Sequence, residues 1–70
     1  MEAYKERLKT EFNELRDRIV KLATYIKKIE KSGSEQYEGQ KQLLTRQYYV
    51  MRDYIIVLER RAEKEDIDLD

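Results

Sequence analysis

The chain has 70 residues, 43% of them charged, and its 15 Lys and Arg side chains balance 15 Asp and Glu. A chain of this length forms one domain at most, and so small a core supplies only about 3–5 kcal/mol without further support. The absence of Cys and His excludes disulfides and a zinc site, which leaves oligomerisation as the remaining support. The balanced charge argues against a general DNA-binding protein, which carries a positive excess.

The sequence also excludes several other classes of protein. No apolar stretch approaches the ~20 residues of a membrane span, and the N-terminal residues lack the apolar core of a signal peptide. We therefore expect a cytoplasmic protein without a membrane partner. Catalysis is disfavoured because His, the commonest general base, and Cys, the best nucleophile, are absent. We expect no catalytic residue, no bound metal and no cofactor.

The first predicted element is a helix over residues 2–31. Its apolar residues recur with alternating spacings of four and three, which is the heptad pattern of a helix with one apolar stripe. Ser32-Gly33 is a typical helix stop. It opens a predicted loop over residues 32–40, which holds both glycines of the chain. The apolar stripe consists of Leu8, Phe12, Leu15, Ile19, Leu22, Ile26 and Ile29.

The second predicted helix spans residues 41–64 and carries two apolar stripes. One of them has the same spacing of four and three and is predicted to face the first helix in an antiparallel hairpin. The other stripe lies beside it. Residues 65–70 form an acidic tail, of which residues 66–70 are predicted to fray. The first stripe consists of Leu44, Tyr48, Met51, Ile55, Leu58 and Ala62, and the second of Leu43, Val50, Tyr54 and Val57.

The consecutive apolar residues at positions 55–58 predict an interface with another molecule. Successive helical residues lie about 100° apart, so four side chains cover roughly 300° of the helix surface. One antiparallel helix covers a single stripe of that surface. We therefore predict an all-α fold with one domain over residues 1–70, in which long antiparallel helical hairpins assemble into a homo-oligomeric helical bundle. The predicted contact residues are Tyr54, Ile55, Ile56, Val57 and Leu58.

Tyrosines and basic residues collect at the loop half of the predicted hairpin. The chain has six Tyr, one Phe and no Trp, whereas coiled coils prefer aliphatic residues at their seams. We interpret Tyr48 and Tyr54 as core or interface residues. Residues 18–52 hold eight Lys and Arg against three Glu. Two tyrosines of this half, Tyr25 and Tyr49, fall off the main seams. Its basic residues include Lys27, Lys28, Arg46 and Arg52.

These six residues form the candidate ligand-binding set. Aromatic rings stack on bases, and Lys and Arg bind phosphate, so the set predicts a site for a small anionic, nucleotide-like ligand. The alternative interpretation is a solvated charged face with tyrosines at an oligomer interface. The sequence contains no fixed-spacing motif, such as a Gly-rich phosphate loop, that would decide between them.

Part of the second helix also carries a family resemblance. Leu43-Leu44, Gln47, Met51, Tyr54 and Arg61 are its more specific positions. Together with the heptad positions of both helices, they make the chain resemble a family of short proteins of tailed bacteriophages, including the crAss-like phages. The second helix is also similar, more distantly, to the helical hairpin of two phage anti-defence proteins, the anti-CBASS sponge and the Thoeris anti-defence sponge.

This resemblance implies a small oligomeric hairpin that sequesters a cyclic nucleotide or cyclic ADP-ribose signal of bacterial immunity without cleaving it. Such a protein, if phage-encoded, acts in the host bacterial cytoplasm. No ligand contact is carried over from these families, so the candidate site rests on the tyrosine and basic residues. The alternative function is a structural or adaptor helical oligomer that binds a host or virion protein. A nucleic-acid partner is disfavoured by the neutral charge.

Overall fold

The computed structural model describes residues 2–33 and 38–69 and contains two helices in that part of the chain. Helix α1 spans Glu2–Ser32, and helix α2 spans Glu38–Lys64. The helices pack side by side as an antiparallel hairpin with extents of 49 × 15 × 14 Å. The predicted all-α hairpin is confirmed. Neither of these two helices is long and apolar enough to cross a membrane.

The connection between the helices differs from the predicted loop. Residues 34–37, which belong to that loop, lie outside the described residues. Helix α1 ends next to Gly33, whose φ of 59° is the left-handed conformation typical of a helix C-terminus. Helix α2 begins at Glu38 rather than at about residue 41. One glycine costs a helix only about 1 kcal/mol, so Gly39 is accommodated inside the helix.

The densest core lies in the half of the rod that holds the helix ends farthest from the connection. Buried apolar side chains from the two predicted stripes pack together there, and Leu58 is 0% exposed. Burial of each large apolar side chain stabilises the hairpin by about 1.5–3 kcal/mol. The cluster consists of Leu8, Phe12, Leu15, Ile19, Leu58, Ala62 and Ile67, with Tyr48, Met51, Ile55 and Leu69 packed against it.

The core is thinner in the other half of the rod, which we call the loop half (residues 18–33 and 38–52). Ile26 and Ile29 of α1 are buried there. Leu44 and Thr45 of α2 remain partly exposed. The two helices therefore do not close completely over each other in the loop half.

The predicted contact residues of α2 divide into two groups. Leu58 is fully buried inside the hairpin, and Ile55 packs against the same core. The prediction that Leu58 contacts another chain is therefore wrong, because α1 already covers it. Tyr54, Ile56 and Val57 keep about half of their surface exposed. One partner helix thus leaves part of this apolar segment uncovered, as the rotation of about 100° per residue requires.

The segment after α2, residues 65–69, packs against the core. Asp66 has a left-handed backbone with φ 56°. Its N–H donates to the Glu63 carbonyl at 3.1 Å, and the Ile67 N–H donates to the Ala62 carbonyl at 2.8 Å. These two bonds form a Schellman motif, which turns the chain back at a helix end. Ile67 is consequently only 8% exposed, and the predicted fraying of this segment is wrong.

Replacing Ile67 with Ala should lower the free energy of unfolding by about 2 kcal/mol, because the substitution removes buried methyl and methylene groups and leaves a cavity. Urea unfolding followed by circular dichroism at fixed protein concentration measures the change. Val20→Ala is the control, since Val20 is 60% exposed and such surface substitutions stay within about 0.5 kcal/mol. Equal stability of Ile67→Ala and the unmodified chain would contradict the packing of this segment.

Replacing Asp66 with Gly should raise the free energy of unfolding by up to about 1 kcal/mol, because a left-handed backbone strains a residue that has a β-carbon. The matched control is Asp66→Ala, which keeps the β-carbon and should give no gain. Thermal unfolding of both variants checks the prediction. A gain of the same size in both would show that loss of the carboxylate, and not the backbone conformation, is responsible.

Candidate functional site

A groove of about 260 Å³ opens between the helices in the loop half. It exists because two short side chains, Ala23 on α1 and Thr45 on α2, border a space that larger residues would fill. We call it the interhelical groove. Its walls combine apolar surface, tyrosine rings and one charge of each sign. The lining residues are Ala23, Ile26, Lys27, Glu30, Thr45, Tyr48 and Tyr49.

The α2 wall of the interhelical groove is a pair of tyrosines. The ring centroids of Tyr48 and Tyr49 lie 5.4 Å apart at an interplanar angle of 76°, which is a favourable edge-to-face arrangement. The Arg52 guanidinium lies 5.8 Å from the centroid of the Tyr48 ring. Its Nη1 also donates a hydrogen bond to the Tyr48 hydroxyl at 3.1 Å. Tyr48 is thus engaged by a cation one turn away, while the Tyr49 ring is mostly exposed.

The six candidate ligand-binding residues do not form one cluster in a single hairpin. Lys27 and Tyr49 line the interhelical groove, and Arg52 reaches its wall through Tyr48. Tyr25 precedes Lys27 by two residues, so the two side chains project about 200° apart around α1. Tyr25 is therefore on the opposite flank of the hairpin, away from the groove, and its part in binding a ligand stays a prediction.

Two of the six candidates lie close to the groove without lining it. Lys28 borders a shallow surface depression of about 520 Å³ on α1, together with Lys27 and Lys31. Arg46 is exposed on α2, one helical turn before Tyr49. Both residues add positive charge around the groove. Their part in binding a ligand stays a prediction.

Several lining residues were not among the six candidates. Tyr48 was interpreted only as a core or interface residue, yet its half-buried ring forms part of the groove wall. Glu30 is the carboxylate of the lining set, and it opposes any anion that comes close to it. The sequence shows that Ala23 and Thr45 are short residues beside bulky apolar stripes, but not that both border the same groove.

A polar contact also joins the helices at the other end of the rod. The Arg61 Nη2 donates a hydrogen bond to the Tyr4 hydroxyl at 3.1 Å. This hydrogen bond is the main cause that raises the pKa of Arg61 above its ordinary value. Arg61 was one of the positions that carried the family resemblance. Its contact with Tyr4 gives this position a role in holding the hairpin together.

A family model decides which proteins the chain is related to. The model of the Sequestin family matches residues 2–64, which span both helices. The chain belongs to the Sequestin family. The name Sequestin indicates a protein that sequesters a ligand, a binding role rather than a catalytic one. The sponge-like family predicted from the sequence is confirmed at this level. Comparisons of this Sequestin chain with curated proteins and with solved structures gave no match.

Proposed function

We propose that this Sequestin-family hairpin is a phage anti-defence sponge, a homo-oligomer that binds a cyclic nucleotide-type immune second messenger and holds it without cleaving it. The interhelical groove is the observation that carries the proposal. It combines the exposed ring of Tyr49 with the ammonium group of Lys27. It also lies within residues 18–52, a part of the chain that contains eight basic residues and only three acidic ones. Rings of this kind stack on bases, and cations bind phosphate.

The size of the groove supports a ligand shared between copies. Its volume of about 260 Å³ is just below the roughly 300–1,000 Å³ of typical small-molecule sites. One hairpin therefore encloses one base and its phosphate more readily than a whole cyclic dinucleotide. A symmetric assembly repeats the groove and supplies the second half of such a ligand.

Each candidate residue has a role in this proposal. Tyr49 stacks on a base, and Lys27 contacts a phosphate from the opposite wall. Tyr25 lies on the other flank, so it reaches a ligand only when it comes from a neighbouring copy. The remaining basic candidates draw the anion toward the groove by adding positive charge around it. They are Lys28, Arg46 and Arg52.

Native mass spectrometry tests the proposed function. The purified protein is measured alone and after mixing with a panel of cyclic di- and trinucleotides and cyclic ADP-ribose isomers. A sponge gains the mass of one of these molecules, and denaturation then releases that molecule intact. An oligomer that gains no mass, together with a defined host protein recovered by pull-down, would instead support the adaptor function. The exposed apolar side chains of α2 are the observation that favours this second candidate.

Replacing Lys27 or Tyr49 with Ala should weaken messenger binding about tenfold or more. A hydrogen bond from Lys27 to a charged phosphate contributes roughly 1.5–3 kcal/mol, and stacking of the Tyr49 ring on a base contributes roughly 1–3 kcal/mol. Isothermal titration calorimetry with the molecule identified by mass spectrometry measures the change. Tyr49→Phe keeps the ring and should retain most of the affinity. Lys21→Ala is the charge control, because Lys21 pairs with Asp17 at 3.0 Å on the surface of α1. Unchanged affinity in both alanine variants would reject the groove as the site.

Replacing Ala23 with Leu should also reduce messenger binding by about tenfold or more, because the larger side chain fills the interhelical groove. The groove is open to solvent, so helix content and the unfolding midpoint should change little. Val20→Leu adds a larger side chain to the exposed surface of the same helix and serves as the control. Titration and circular dichroism on both variants check the prediction. Full binding by a folded Ala23→Leu variant would contradict it.

A further inference from the structure

One flank of α2 carries an apolar stripe that the hairpin does not cover. Leu43, Val50, Tyr54 and Val57 are all exposed, Leu43 to 64% and Val50 to 59%. Gln47 occupies the heptad position between the first two of them. These five residues, which we call the outer stripe, recur with the spacing of a coiled-coil seam.

The outer stripe has the composition of a buried seam. None of its five positions is charged, although 43% of the chain is charged. A helix face that meets water normally carries charged and polar residues. In the part of the chain that the structure describes, neither α1 nor the segment after α2 covers this stripe. Its composition therefore calls for a partner that the single hairpin does not supply.

The outer stripe lies beside the interhelical groove and not inside it. Around α2, Val50 projects about 140° from Thr45 and about 100° from Tyr49, the residue directly before it. A partner centred on Val50 therefore leaves the Thr45 side of the groove open and lies beside the Tyr49 ring.

We propose that a second copy of this chain covers the outer stripe, with the two hairpins pointing in opposite directions about a two-fold axis near Val50. Three stripe residues are symmetric about Val50, since Leu43 and Val57 each lie seven positions from it. Gln47 and Tyr54 lie three and four positions from it, so they face Asp53 and Arg46 of the other copy. A two-fold axis at Val50 therefore places Val50 against its own copy and Leu43 against Val57 of the other copy. Such a self-complementary patch is what a two-fold interface requires.

The distribution of charge favours this orientation. Residues 18–52 contain eight basic and three acidic residues, whereas the rest of the chain contains seven basic and twelve acidic ones. An antiparallel pair places the basic half of one hairpin beside the acidic half of the other. A parallel pair would place like charges side by side, and those closer than the ~8 Å screening length of physiological salt would repel each other.

The outline of the rod limits the size of the pair. One side of the 49 × 15 Å rod covers about 700 Å², and the outer stripe occupies part of one side, so the pair belongs among the smaller protein interfaces. The stripe supplies an apolar centre, and polar residues flank it, as in such interfaces. The proposal refines the homo-oligomer of the proposed function and does not depend on its ligand.

Sedimentation velocity on two matched variants tests the proposal. Val50 and Val20 are 59% and 60% exposed, but only Val50 belongs to the outer stripe. At a concentration where the unmodified chain sediments at twice its mass of 8.6 kDa, Val50→Asp should sediment as the single chain, and Val20→Asp should remain paired. Circular dichroism verifies that both stay helical. A monomeric unmodified chain, or a Val50→Asp variant that still pairs, would overturn the proposal.

A second measurement tests the orientation even if Val50→Asp does not fold. The chain contains no Cys, so Val50→Cys introduces a single thiol. A short bismaleimide should link two Val50→Cys chains with high yield, and Val20→Cys chains poorly. Equal yields would overturn the two-fold axis at Val50. Lys27→Ala, which acts in the groove, should leave the pair intact, so failure of the dimer and failure of messenger binding are distinguishable.

Discussion

The fold of this chain depends on an unequal match between two helices. Helix α1 offers one apolar stripe, whereas α2 offers two, and two straight helices that lie side by side cover only one stripe each. The pairing that forms is the one that buries Leu58 completely and Phe12 nearly so. The apolar side chains of α2 that stay exposed are those that this pairing with α1 does not cover. The outer stripe is therefore a direct consequence of this pairing.

Side-chain size then divides the rod along its length. Large aliphatic residues close the half that holds Leu8 and Leu58, and the returning segment with Ile67 completes that core. In the loop half, Ala23 and Thr45 leave space beside Tyr48 and Tyr49. The densest core and the proposed binding surface thus occupy different halves of the rod. A ligand site in the loop half does not compete with the packing that holds the hairpin together.

The sequence predicts the hairpin because the heptad spacing of both helices is long and regular. It does not predict the packed C-terminal segment, since glycine is the usual residue in a Schellman motif and Asp66 takes that place here. The groove depends on which short residues face each other across the helices, and this requires the three-dimensional pairing. In contrast, the sequence alone could have shown that Tyr25 and Lys27 point to different flanks, because side chains two positions apart on a helix project about 200° from each other.

The position of the dense core has a consequence for how the chain folds. Leu8 and Leu58 pack together although they are far apart in the sequence, while the residues near the connection bury less surface. The chain entropy of closing nearly the whole hairpin is therefore lost before the strongest contacts form. A helical hairpin with local packing at its turn would zip up from that turn. This one instead gains much of its stability from contacts between residues far apart in the sequence, which makes its unfolding cooperative.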